Sequence, residues 1–166
     1  MSLPTASSMR DALATAVREP TLLAVNDKTP CRALQIGEIV AGDAVEQRFA
    51  FDAATRAAFS KVADDRAPLH GDDRFAAARG FEGQIMHGLC VSTRFSRLIG
   101  MYLPGEHAIL EQITFKFRKP TFEGQPLVFR AEVIRLMRPM KVVRLTLTAT
   151  SEAGVHVTGE AQCLIR

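Results

Sequence analysis

The sequence predicts one α+β domain in which an antiparallel sheet packs on a single long helix. Three observations predict it. From His87 to Tyr102 apolar residues recur at helical spacing, with Val91, Phe95, Leu98 and Tyr102 four, three and four residues apart. After His107 the repeat changes to period two, in four segments that end at Ile165. The connections between those segments are short, which suits antiparallel neighbours with one solvated face. The long helix must then cover the other face.

Each element follows from its residues. Residues 1–20, rich in Ala, Ser and Thr, predict a short helix over 9–17 capped by Ser7 or Ser8, on an arm docked outside the domain or partly mobile. Pro20, Pro30, Gly37 and Gly42 punctuate the next stretch, which predicts no regular element. Ala44 to Phe51 predicts a strand, and Asp52 an N-cap for a helix over 53–64 with Phe59, Val62 and Ala63 on one face. Pro68 pushes Ala67 out of the helical region, so that helix ends at the next carboxylate, Asp65. A second short helix over 74–78 stops at Gly80. The central helix then runs to Tyr102 and ends at Pro104-Gly105. It carries a second, narrower stripe of Leu89, Thr93, Ser96 and Gly100, and its largely apolar circumference predicts burial.

The four strands follow. Residues 108–118 offer Ile109, Ile113, Phe115 and Phe117 for burial, and 127–136 offer Phe129, Ala131 and Val133. Residues 141–150 offer Val143, Leu145, Leu147 and Ala149; 155–165 offer Val157, Gly159, Ala161, Cys163 and Ile165. His107 and His156 are expected at the surface. The organisation expected is an arm over 1–35 and a domain over 36–166.

Composition excludes several function classes. The chain has 166 residues, enough for one domain with a core. Its net charge is only +3 and Lys and Arg are dispersed, so no nucleic-acid footprint is present. No apolar run approaches a membrane span, and the N-terminal region, with Asp11 and Glu19, does not read as a signal peptide. Three widely spaced cysteines with no CxxC pair argue against a disulfide framework or a zinc site and suit the cytoplasm. Neither metal nor cofactor is expected.

The chemistry concentrates between Asp65 and Gly88. Asp65-Arg66-Ala67-Pro68-Leu69-His70 sets a carboxylate and an imidazole five residues apart around a proline turn. Gly83-Gln84-Ile85-Met86-His87-Gly88 then opens the long helix. A carboxylate and an imidazole held around one water can take a proton from it and return one to carbon. The N–H groups that start the helix, at a glycine that admits close approach, can bind a carbonyl oxygen gaining negative charge. On spacing alone, a turn-capping carboxylate and a surface histidine remain the plainer reading.

Taken together, the Asp-x-x-Pro-Leu-His phrase, the Gly-x-Ile-x-His-Gly phrase, the Phe117–Gly124 turn and Val157-Thr158-Gly159-Glu160-Ala161 resemble the MaoC-like dehydratases and (R)-specific enoyl-CoA hydratases. The resemblance covers roughly residues 36–166. It implies a hot-dog fold, with the antiparallel sheet wrapped around a long central helix, and a hydro-lyase acting on an acyl-CoA thioester in fatty acid metabolism. It implies that Asp65 and His70 are catalytic and that the Gly88 amide holds the thioester oxygen. Ser96, Gly83 and His87 are the other expected substrate-site residues. It also implies a homodimer, or a higher dimer-based oligomer, with the substrate channel at the subunit contact. The sequence departs from the family at three places: Asp64 stands where glycine is usual, Ala67 where asparagine is usual, and Gln125, at a turn, where aspartate is usual. A thioesterase on the same fold, or a non-catalytic acyl-CoA binder, is the alternative function.

Overall fold

Alternating apolar residues give the sheet its buried face, and the long apolar helix fills the hollow of that face. The structure, a computed structural model, describes residues 18–166. The helix expected over 9–17 lies outside the described residues. Six strands form one sheet: β1 (Leu22–Ala24), β2 (Ala44–Ala50), β3 (Ala108–Phe117), β4 (Pro126–Met137), β5 (Val142–Ser151) and β6 (Gly154–Ile165). Their order is β1-β2-β4-β5-β6-β3, and every neighbouring pair is antiparallel except β1 with β2. The helices are α1 (Ala53–Ala63), α2 (Asp73–Ala77) and α3 (Gly88–Met101). The sheet wraps α3, as expected of the hot-dog fold.

Val91, Phe95, Leu98 and Tyr102 are all buried, against Phe129, Ala131 and Val133 of β4 and the inward residues of β5 and β6. The Phe95 ring meets Phe129 edge-on at 5.5 Å and stacks on Phe115 at 5.6 Å. Burying one such side chain contributes about 1.5–3 kcal/mol, so this stripe alone fixes α3 on the sheet.

The structure corrects four expectations. β1 was not expected; it pairs in parallel with β2, so the sheet reaches past residue 36 toward the N-terminus. α1 forms with Asp52 capping the Thr55 N–H at 2.8 Å, but it buries no residue fully and leaves Val62 87% exposed. β3 lies at the sheet edge. A register shift between Leu110 and Gln112 breaks the alternation, Ile109 and Leu110 are both exposed, and Phe117 remains half exposed at the strand's end. The stripe of Leu89, Thr93, Ser96 and Gly100 is exposed on α3, because the sheet covers only the opposite side of the helix.

Candidate active site

The bend after α1 is fixed by its own side chains. The helix ends on Asp64 in the left-handed region, φ 49°. Asp65 then folds its Oδ1 back to accept the Ala67 N–H at 3.0 Å, and Pro68 begins a single 3-10 turn ending at His70. Arg56 of α1 donates to the His70 carbonyl at 3.1 Å and pairs with Glu123 at 3.2 Å, tying the bend to the helix before it. The His70 Nδ1 donates to the Ile85 carbonyl at 2.8 Å. A carbonyl can only accept, so Nδ1 bears the proton and Nε2 keeps its lone pair for another partner.

His87, the residue before α3, backs this arrangement. It is 2% exposed and stacks on His70 with ring centroids 3.8 Å apart, while Phe59 packs against it at 5.1 Å. Its Nε2 donates to the Asp65 carbonyl at 3.3 Å and lies 3.3 Å from the Ser60 hydroxyl; its Nδ1 has no partner. Burial, helped by the neighbouring His70 and Arg56, holds the His87 pKa below the ordinary histidine value. His87 therefore serves as a neutral plate behind His70, and its ring offers no open face to a ligand.

One donor atom each from Asp65, His70 and His87 lies within 4.8 Å of the others. Two hydrogen bonds of about 2.8 Å placed end to end exceed that span, so a carboxylate oxygen of Asp65 and a ring nitrogen of His70 are no further apart than one water can reach. The same trio suits a metal less well. Chelation needs imidazole lone pairs that converge on one point. Here the rings stack with planes 28° apart and His87 Nε2 already carries a donated proton.

His70 opens onto an apolar cleft of about 480 Å³. Ile85, Met86, Gly88 and Leu89 form one wall, and Phe117 with Arg118–Thr121 forms the facing one. Gly88 begins α3 and His87 supplies no side-chain cap, so the first N–H groups of the helix have no intrahelical acceptor, and Gly88 and Leu89 line this cleft. A Cβ at Gly88 would sit 3.0 Å from the Phe117 ring, so glycine here keeps the helix end open beside the aromatic wall. Gly83 lies elsewhere, in a polar cleft with Arg56, Asp73, Glu82 and Glu123. Ser96 is exposed two turns along α3, on the helix's open side.

The match to the family model described as "MaoC like domain" spans residues 39–155. The chain belongs to the MaoC-like domain family. Its MaoC-like domain is 38% identical over 112 residues to the (R)-specific enoyl-CoA hydratase of Aeromonas caviae, covering 67% of this chain and 84% of that protein. It is 33% identical over 103 residues to a 3-hydroxybutyryl-CoA dehydratase of Methylorubrum extorquens, covering 62% of this chain and 66% of that one. Among solved structures, the (R)-hydratase of A. caviae superposes with a TM-score of 0.74 at 33% identity, covering 77% of this chain and 98% of that one. An R-hydratase of Pseudomonas aeruginosa superposes with a TM-score of 0.76 at 28% identity, covering 82% and 88%.

Three features of this MaoC-like site were not singled out in the sequence. Phe117 was expected in the core and instead lines the cleft mouth. Thr121, buried, carries the carbonyl that accepts the Met86 N–H at 2.8 Å and so holds the segment leading into α3. His156, expected at the surface, is 2% exposed beneath that same wall. Its place in the β6 alternation does put it on the outer face; the segment after β3 folds over it there, which no local pattern announces.

Proposed function

We propose that this protein is a hydro-lyase that adds water to a 2-enoyl thioester, or removes it from an (R)-3-hydroxyacyl thioester. The observation that carries the reading is His70, with an Asp65 carboxylate oxygen within 4.8 Å of one of its ring nitrogens, opening onto an apolar cleft that is also lined by Gly88 at the start of α3. The relatives named as enoyl-CoA hydratases and hydroxyacyl dehydratases support it.

In the hydration direction, the acyl chain lies along Ile85, Met86 and Phe117 with its carbonyl oxygen at the Gly88 N–H. A water between Asp65 and His70 gives a proton to His70 Nε2 as its oxygen bonds to the β-carbon. The π electrons pass to the α-carbon and carbonyl, and the resulting enolate oxygen is held by the Gly88 amide and the helix dipole. The α-carbon then takes that proton from His70 Nε2, which returns the imidazole to its neutral starting state. Asp65 accepts a hydrogen bond from the water and offsets the positive charge on the imidazolium. Acid/base help of this kind is worth about 10²–10⁴-fold, and one oxyanion donor about 3–4 kcal/mol. Arg118 and Lys119 at the cleft mouth place positive charge where the phosphates of a CoA carrier would lie.

The active form is proposed to be a dimer. β3 presents a ten-residue unpaired edge with Ile109, Leu110 and Phe117 exposed, and Leu89 is exposed beside Phe117 at the cleft. Such an edge invites pairing with a second copy. Light scattering coupled to size exclusion should give twice the chain mass, and a monomer at micromolar concentration would refute it.

Adding crotonyl-CoA and longer enoyl-CoA thioesters tests the chemistry. Loss of the enoyl-thioester absorbance without free thiol is the expected result. Thiol release would point to a hydrolase, and binding without turnover to a non-catalytic subunit.

A further inference from the structure

The segment between β3 and β4 forms a wall of the cleft, yet it is not part of the sheet ladder. What anchors it is a buried imidazole. His156 of β6 donates from Nδ1 to the Pro120 carbonyl at 2.9 Å, with the Thr121 hydroxyl 3.4 Å from the same nitrogen. Its Nε2 accepts from the Ser151 hydroxyl at 2.8 Å, and the Gln125 side-chain amide lies at 3.5 Å. Its own carbonyl accepts the Arg118 N–H at 2.7 Å. Among the described residues, no main-chain N–H reaches the Pro120 carbonyl, so the side chain of His156 is its protein partner.

The anchored segment continues to the reacting groups through main-chain contacts. The Thr121 carbonyl accepts the Met86 N–H at 2.8 Å, and Phe122 bridges Ile85 in antiparallel pairing. The Ile85 carbonyl is the acceptor that fixes the His70 tautomer, and Met86 lies two residues before Gly88. We infer that His156 is a positioning residue for the reaction. By its bond to Pro120 it sets the placement of the Thr121–Met86 pairing, and through it both the His70 ring and the Gly88 amide. The inference rests on the hydratase reading for its kinetic consequence, and on the structure alone for its effect on His70.

The two ring nitrogens make the test specific. His156→Asn places an amide N–H near the Nδ1 position and can still donate to Pro120. His156→Gln reaches the Nε2 position and leaves the Pro120 carbonyl without its donor. The asparagine variant should retain most of kcat with enoyl-CoA. The glutamine variant should lose about tenfold in kcat with KM changed less, the effect of a reacting group displaced by a fraction of an ångström. A purely structural role would lower the melting temperature of both variants and separate neither kcat value; equal kcat in the two overturns the inference. Should the wild-type chain hydrate no enoyl-CoA, the hydratase reading falls by itself. The positioning role is then decided by the ring ¹⁵N NMR signals of His70. Its Nδ1–H pattern should persist in the asparagine variant and give way to mixed tautomers in the glutamine variant; an unchanged pattern in both overturns it.

Discussion

The two ends of α3 are built in opposite ways. At the C-terminal end the carbonyls are answered: Tyr102 and Leu103 N–H groups reach Leu98, Gly105 N–H reaches Ile99, and Arg32 N–H reaches Met101. Tyr102 is fully buried, and its hydroxyl accepts from Arg97 at 2.9 Å. At the N-terminal end His87 provides no side-chain cap, the leading amides have no intrahelical acceptor, and Gly88 and Leu89 line a cleft. The contrast teaches that one end of the helix is closed by its own chain, while the other is left open for the chemistry proposed above. Polar groups left unanswered in a well-packed chain mark where a ligand is meant to complete them.

Substitutions at the two ends should therefore separate activity from stability. The largest effect is expected from Asp65→Asn and His70→Ala. Each should lower kcat for enoyl-CoA hydration by about 10²–10⁴-fold, with circular dichroism unchanged; a fully active double variant would remove the site. Gly88→Ala comes next. Its Cβ would press on the Phe117 ring at 3.0 Å and narrow the approach to the helix amides. A loss of about tenfold in kcat/KM is expected from such a displacement, and a wild-type value would show that the Gly88 amide is not an oxygen site. Tyr102→Phe should do the reverse, costing about 1 kcal/mol in urea unfolding for the lost hydrogen bond while leaving kcat unchanged. If it silenced the enzyme, the division between the two ends would be lost.

The smallest expected effect is on acid stability. Burial lowers the pKa of His87, with His70 and Arg56 nearby, and burial beside Lys119 lowers that of His156. The unfolded chain takes up these protons more readily, starting near pH 6.5. Their contribution to stability is thus complete above that pH and is lost as the pH falls toward the lowered native values. The melting temperature should decline between pH 7.5 and 5.5, and His156→Asn should flatten that decline.

Much of this was readable before any coordinates. The helical stripe from Val91 to Tyr102 and the alternation through β4, β5 and β6 are long, and in each the residues assigned to the core are buried, except Gly159, which is only partly so. Asp65 and His70 could be paired because Pro68 dictates the bend between them. What escaped had a physical cause in each case. β1 is three residues long, too short to show a period. The register shift in β3 breaks alternation after Leu110, and Ile109 and Leu110 are both exposed at the sheet edge. The exposed stripe of α3 looks like a core stripe, because composition does not record which side of a helix the sheet covers. His156 alternates outward as its position requires, and only a distant segment crossing over it makes it interior.

The acceptor that orients His70 belongs to the main chain of Ile85, and the side chain of the same residue lines the cleft. Any amino acid at position 85 supplies that carbonyl. The residue can therefore be enlarged or trimmed to fit acyl groups of other lengths while the imidazole keeps its proton on the same nitrogen. Under the proposed hydratase reading, selectivity and reactivity would be inherited separately from one position, leaving the pocket free to diversify without rebuilding its machinery.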